Sequence, residues 1–330
     1  MGRARAASGI ALDPVLDALT RLVPGGVRRR AVAAGGRYLR WIEAGREEPV
    51  VVLEAGAGDT ALAWAPILRQ VAERTRLVAY DRAGLGRSDP PPASPTMAAQ
   101  AADLVALIGA AATGSCILVG HSWGGILVQA VASERPDLVA ALVLVDPAQE
   151  DLLPVWVRKV AVPLLTRALP PLQRLLVAWG GTERLERGAA RRWADGVSCD
   201  RETRRLLAEA YLHDRTGSRG EGRARESRAV VGEVEAIRGL RGRAIAADLP
   251  LIVLSGTRGV PLHRSRWTAA HAALVAARPG AQHVAVQGAG HGVHWDRPAP
   301  VAGAVLAMVD RLRREQKVDR QADGEPTLPG

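Results

Sequence analysis

The sequence predicts a doubly wound, mostly parallel α/β sheet with an inserted helical lid, and three features of the chain carry that expectation. Short apolar runs rich in β-branched residues recur at 38–42, 50–53, 77–80, 116–119, 142–145, 251–254 and 283–286. Segments of helical period lie between them at 95–112, 123–134, 264–278 and 298–314. The interval 151–248 is helical in period, dense in charge and without a strong strand signal.

Each element has a local reason. Ile10, Leu12, Val15, Leu16, Leu19, Leu22 and Val23 fall at helical spacing, with Asp13-Pro14 as a start and Pro24-Gly25-Gly26 as a stop. Residues 1–36 therefore read as an amphipathic helix followed by a basic linker, Arg28-Arg29-Arg30. Over 10–30 such a segment suits peripheral contact with an anionic membrane, or packing on its own domain. Apart from Arg40 and His283 the strand runs are apolar rather than alternating, as expected of strands covered on both faces. They assign 37–150 and 249–314 to the core and 151–248 to a helical lid or cap. Residues 315–330 lose apolar content and read as a disordered tail.

Composition narrows the possibilities. Of 330 residues, 48% are hydrophobic and 24% charged, which excludes disorder and small disulfide scaffolds. Only two lysines, Lys159 and Lys317, stand among the 44 Lys and Arg residues; Phe is absent and the net charge is +10. The basic residues interleave with acids along helices instead of forming one stripe beside aromatics, so no nucleic-acid partner is expected. Cys116 and Cys199 cannot staple a chain of this size, and no run approaches a spanning helix or a signal-peptide core. A cytoplasmic setting is the expectation, with the N-terminal stretch as the peripheral-membrane exception.

Two glycine motifs compete for the chemistry. After the run at 50–53 comes Gly56-Ala57-Gly58-Asp59-Thr60-Ala61, and Asp81 closes the next run. That pattern fits a nucleotide- or S-adenosylmethionine-dependent transferase, with backbone N–H groups near a cofactor and Asp81 on a ribose. The second motif is Gly120-His121-Ser122-Trp123-Gly124-Gly125, between the run at 116–119 and a helical segment. A serine displayed on so sharp a strand-to-helix turn needs an unusual backbone angle, and side chains at Gly120 and Gly124 would collide with neighbouring elements. The turn also aims the Trp123 N–H, at a helix start, toward a developing oxyanion. His291, in Gly290-His291-Gly292 after the last strand run, supplies a base at the same edge of the sheet.

At these residues the chain resembles the α/β-hydrolase superfamily. The resemblance rests on Leu53-Glu54-Ala55-Gly56-Ala57-Gly58, Tyr80-Asp81-Arg82-Ala83-Gly84-Leu85-Gly86-Arg87-Ser88-Asp89, the elbow at Ser122 and Gly290-His291, in family order over nearly the whole chain. It implies that the Gly56 loop is an oxyanion loop with Ala57 as a donor, and that a serine nucleophile acts without metal or organic cofactor. It also implies a carboxylesterase-like enzyme (EC 3.1.1) acting on a small, apolar ester or acyl substrate. Ester, lactone, thioester, amide and C–C bonds all stay open. The chain departs from the family in its acid: no carboxylate follows the run at 251–254, whereas 142–145 ends in Asp146-Pro147. Asp146 is therefore taken as the third member of the triad, with Glu150 and Asp151 in reserve. A non-catalytic binder on the same fold is the alternative that the displaced acid leaves open. His121 reads as a structural hydrogen-bonding residue. His291 and His294 lack the further ligands of a metal site. Trp64, Trp156, Trp179, Trp193 and Trp267 are candidates for pocket or core.

Overall fold

The computed structural model describes residues 13–149, 181–197, 199–241, 245–276 and 278–322. Its centre is an eight-stranded sheet of β1 (Val27–Ala34), β2 (Arg37–Ala44), β3 (Val51–Glu54), β4 (Leu77–Asp81), β5 (Cys116–His121), β6 (Val139–Val145), β7 (Leu251–Gly256) and β8 (Gln282–Val286). The spatial order is β1-β2-β4-β3-β5-β6-β7-β8. β2 runs antiparallel to β1 and β4, and every later pairing is parallel.

Alternation along each central strand divides the interior into two cores. Val51, Leu53, Leu77, Ala79, Ile117, Val119, Val143 and Val145 face one side, where they pack with α1 (Pro14–Leu22), α2 (Ala65–Val71) and α11 (Pro298–Ala322). Val52, Val78, Tyr80, Leu118, Leu142 and Leu144 face the other, against α3 (Met97–Ala111) and α4 (Trp123–Glu134). Both faces are thus covered, which is why the strands carry no polar alternation.

β1 corrects the reading of residues 28–30 as a linker. Ala34 pairs with Arg37, so Gly35 and Gly36 make a two-residue hairpin turn, each at positive φ (55° and 78°). The arginines lie on the sheet's edge strand, where charge discourages pairing with another chain. Of the two expectations for 10–30, the described part of α1 shows packing on its own domain: capped by the Asp13 side chain, it buries Val15, Ala18, Leu19 and Leu22 in the first core. Ile10 and Leu12 fall outside the described residues. Among those described, no helix is long and apolar enough to cross a membrane.

Between β6 and β7 the described part of the insertion is helical: α5 (Gly181–Asp195), α6 (Arg201–Arg215), α7 (Gly217–Gly232) and α8 (Val234–Arg241). α6 packs on both α1 and α5. Beyond β7, α9 (Pro261–Ala276) precedes β8, and the short α10 (Val293–Asp296) precedes α11. α11 continues to Ala322, past the expected end near 314, helped by an Arg311–Glu315 pair one turn apart. Residues 323–330 lie outside the described set, as do Glu150, Asp151, Trp156 and Trp179.

Candidate active site

β5 runs into Ser122 and α4 starts at the next residue, so Ser122 sits at the turn itself with φ 52° and ψ −117°. A non-glycine residue holds such angles only where its surroundings over-determine them. Two glycines permit the approach. A Cβ on Gly120 would lie 2.5 Å from the Gly124 carbonyl oxygen, and one on Gly124 would lie 2.3 Å from that of Glu54 on β3. The turn is stitched to the end of β6: Ser122 N–H donates to the Val145 carbonyl (3.1 Å), and Ala148 N–H donates to that of Ser122 (3.0 Å).

Three side chains from three strand ends meet here. His291, between β8 and α10, has Nε2 at 2.9 Å from Ser122 Oγ and Nδ1 at 2.7 Å from Asp146 Oδ2. A carboxylate only accepts, so Nδ1 carries the proton and Nε2 is left to accept from the serine hydroxyl. Asp146, directly after β6, is fully buried and also takes a positive φ, 45°. Burial alone would raise its pKa, but hydrogen bonds from His291 and Arg264 outweigh it and hold the carboxyl below the ordinary range. The remaining lone pairs are used as well: Gly256 N–H donates to Oδ1 (3.1 Å), and Arg264 Nη1 lies 2.7 and 2.9 Å from Oδ1 and Oδ2.

Trp123 is the first residue of α4, where a backbone N–H has no carbonyl partner within its own helix. The loop with Ala57 lies against the elbow, since a Cβ on Gly56 would come within 2.8 Å of His121 Nδ1. Arg82, 1% exposed, fixes this loop by donating to the carbonyls of Ala55 (2.7 Å) and Gly56 (2.6 Å). Across a trans peptide the Ala57 N–H points opposite to the Gly56 carbonyl, so anchoring one orients the other.

Arg82 in turn lies between two buried carboxylates. It donates to Glu54 at 2.5 Å and to Glu226 of α7 at 2.7 Å through both Nε and Nη2. Glu226 also accepts from Gly58 N–H (2.5 Å) and Gln100 Nε2 (2.6 Å), and Gln100 Oε1 accepts from the Trp123 indole (2.7 Å). Tyr80 hydroxyl donates to Glu54. Burial pushes the Glu54 carboxyl up to about 7 against the pull of Arg82 and Tyr80.

The other sequence candidates fall into place around this frame. His121 is buried, and its Nε2–H donates to the His291 carbonyl (3.0 Å); burial pushes its pKa down to about 3, so it stays neutral. His294 is buried against the rings of Trp64 (4.6 Å) and His121 (4.4 Å), and neither ring nitrogen has a partner among the described residues. Asp81 accepts from the N–H groups of Ala61 (2.9 Å) and Arg87 (3.0 Å), which ties the end of β4 to two loops. Trp64 is core, Trp267 packs 5.1 Å from the His291 ring, and Trp193 packs with Tyr211 and Trp295.

Arg264, Glu226 and a Ser255–His271–His283 chain were not anticipated from the sequence. In that chain His271 Nε2–H donates to the Pro147 carbonyl (2.9 Å), so Nδ1 accepts from Ser255 hydroxyl (2.6 Å), which accepts from His283 Nε2–H (2.8 Å). It buttresses the residue that follows Asp146.

The profile of the family described as "Alpha/beta hydrolase family" matches residues 50–304. Among curated proteins, "Putative carbamate hydrolase RutD" of Variovorax paradoxus is 41% identical over 98 residues, 29% of this chain and 37% of that protein. The protein of that name in Caulobacter segnis is 38% identical over 108 residues, covering 32% and 40%. The chain thus spans well under half the length of these relatives. Among solved structures, a serine hydrolase involved in carbazole degradation, the CarC enzyme, aligns with a TM-score of 0.57 at 20% identity, over 86% of this chain and 99% of that one. A Vigna radiata epoxide hydrolase mutant aligns at 0.67 and 18% identity with the same coverage. At such identities the likeness is one of fold.

Proposed function

Because the chain belongs to the alpha/beta hydrolase family, we propose that it is a serine hydrolase that cleaves a carboxylic ester, or a related acyl bond, of a small apolar substrate. The observation that carries this reading is the unbroken hydrogen-bonded chain from Ser122 Oγ through His291 to Asp146. In the proposed reaction Ser122 attacks the substrate carbonyl as His291 Nε2 takes its proton, and Asp146 fixes the tautomer and stabilises the imidazolium. The Trp123 and Ala57 N–H groups receive the oxyanion, each such donor being worth on the order of 10² in rate. His291 then protonates the leaving group, and water attacks the acyl-enzyme with His291 again as base.

A cavity of about 340 Å³ lies beside the elbow, lined mainly by apolar residues (Ile126, Ile237, Leu240, Ile245 and Leu274) with Gln129, Gln149 and Arg278 as its polar members; Ala148, which also lines it, bonds the Ser122 carbonyl through its N–H, and the apolar share supports an apolar substrate. The carbamate named for the bacterial relatives presents the same kind of carbonyl, so a carbamate falls within the proposed class. Serine at the elbow supports acyl transfer over the aspartate-dependent ring opening associated with epoxide-hydrolase relatives. The transferase alternative finds little support, since the Gly58 N–H is engaged by the Glu226 side chain and the Asp81 carboxylate by backbone N–H groups.

Labelling by a fluorophosphonate, read by intact mass and lost in Ser122→Ala, tests the nucleophile. A panel of p-nitrophenyl acyl esters and aryl carbamates then reads the bond. A folded protein that neither labels nor turns over any of them is a binder on this fold, and the proposal fails.

A further inference from the structure

The segment after β7, where the family resemblance leads one to look for the triad acid, delivers a cation to that acid instead. Arg264 lies in the first turn of α9 with its side chain 10% exposed, and its Nη1 contacts both oxygens of Asp146 at 2.7 and 2.9 Å. Oδ2 is also the oxygen that receives the His291 Nδ1–H at 2.7 Å. Two positive donors therefore share one carboxylate whenever His291 is protonated. We propose that Arg264 is a positioning residue that fixes the Asp146 carboxylate and sets the pH below which His291 ceases to act as a base. The inference rests on the triad reading above.

The physical argument is a competition for charge. A bare buried carboxylate stabilises the imidazolium strongly, whereas one already paired with a guanidinium does so less. Arg264 thus keeps His291 neutral, and able to accept the serine proton, at lower pH than Asp146 alone would allow. The surroundings offer no rival among the described residues. His121 from the elbow, His294 on α10 and His271 on α9 face the site and are kept neutral by burial. Arg258 and Asp296 pair with each other beside Gly290, and Arg82 is matched by Glu54 and Glu226 beyond His121. Trp267 holds the arrangement from the side, its ring 5.1 Å from both the Arg264 guanidinium and the His291 ring.

The test compares Arg264→Gln and Arg264→Lys in the full chain. Two readouts are taken: the titration midpoint of the His291 imidazole by NMR, assigned with His291→Ala, and the acid limb of kcat/KM for a p-nitrophenyl ester. Removing the charge moves midpoint and limb up together by about one pH unit, a tenfold effect at fixed pH below the limb; Arg264→Lys leaves both near wild type. Arg264→Met, which keeps the aliphatic stem, replaces the Gln variant if that one loses its near-UV circular dichroism. A midpoint unmoved or lowered in the charge-free variant overturns the role of Arg264 even with an active wild type. Absence of labelling and turnover in the wild type sinks the triad reading instead, and the imidazole titration still decides whether Arg264 tunes His291.

Discussion

Asp146→Asn isolates the charge of the proposed triad acid with little change in shape. Asparagine is among the few residues that tolerate the positive φ of 45° found there. The difficulty is chemical, because every neighbour of the carboxylate is a donor: His291 Nδ1–H and Arg264 at Oδ2, Gly256 N–H and Arg264 at Oδ1. An amide must turn its NH₂ against one of them. Placed toward His291, it forces Nδ1 to become the acceptor and moves the imidazole proton to Nε2, where the Ser122 hydroxyl can no longer be deprotonated. Placed toward Gly256, it leaves a buried backbone N–H unpaired, costing about 1–3 kcal/mol of stability. The first orientation lowers kcat by about 10³ to 10⁴, as in triads where the wrong tautomer is enforced. Steady-state ester turnover and the second-order rate of fluorophosphonate labelling measure the loss, and thermal unfolding reports the second orientation. Turnover within about tenfold of wild type, in a protein of unchanged stability, would move the acid away from Asp146.

Gly124→Ala drives a methyl group into the carbonyls of Glu54 and Ala55, at 2.3 and 2.6 Å. We expect about 1–3 kcal/mol of destabilisation by denaturant unfolding together with a displaced elbow and slower labelling; an unperturbed variant would mean that the elbow is not tightly packed on β3. Glu54 gives a pH prediction. Its folded pKa is raised by burial from 4.5 to about 7, so its contribution is fully present below about pH 4.5 and disappears as pH rises through 7. The stability difference between wild type and Glu54→Gln should fall across that window by a few kcal/mol at most; parallel stability curves would refute it. In Glu226→Gln an amide NH₂ must face Arg82, Gly58 N–H or Gln100, all donors. Labelling of Ser122 should slow by about tenfold with KM little changed, whereas wild-type labelling would show that the Gly56 loop does not depend on the insertion.

The two-sided burial of the central sheet is what made it readable. Runs such as Val50-Val51-Val52-Leu53 have no polar face to confuse with a helix or loop. β1 was hidden because it lies on the edge and carries three arginines, although the Gly35-Gly36 pair before a β-rich run was a usable hairpin signal. Ser122 could be placed from a local motif, and His291 and Asp146 from their positions at strand ends, since parallel strands bring those ends to one edge. Arg264 offers no such cue. Its contact with Asp146 depends on how the first turn of α9 is laid across β6 and β7, which no local pattern encodes. Glu226 sits in a helix dense with charge, where one buried acid looks like its solvated neighbours. Glu54 did leave a trace, a lone carboxylate ending an apolar strand beside the strand that ends in Asp81-Arg82.

The Glu226 contact bears on how such hydrolases can be recombined. An insertion that merely covered a pocket could be exchanged between relatives to change substrate range. Here Asp214 of the insertion accepts from the Thr60 hydroxyl (2.6 Å), Arg215 donates to Asp59 (3.1 Å) and Glu226 accepts from Arg82 and the Gly58 N–H, so three side chains of the insertion brace the turn that precedes α2. A chimera with a foreign insertion would inherit an arginine facing one carboxylate instead of two and a Gly56–Gly58 loop without its outer support. Exchange should therefore succeed only when the donor segment brings an acid to the place of Glu226, which makes that residue a compatibility marker for grafting between members of the family.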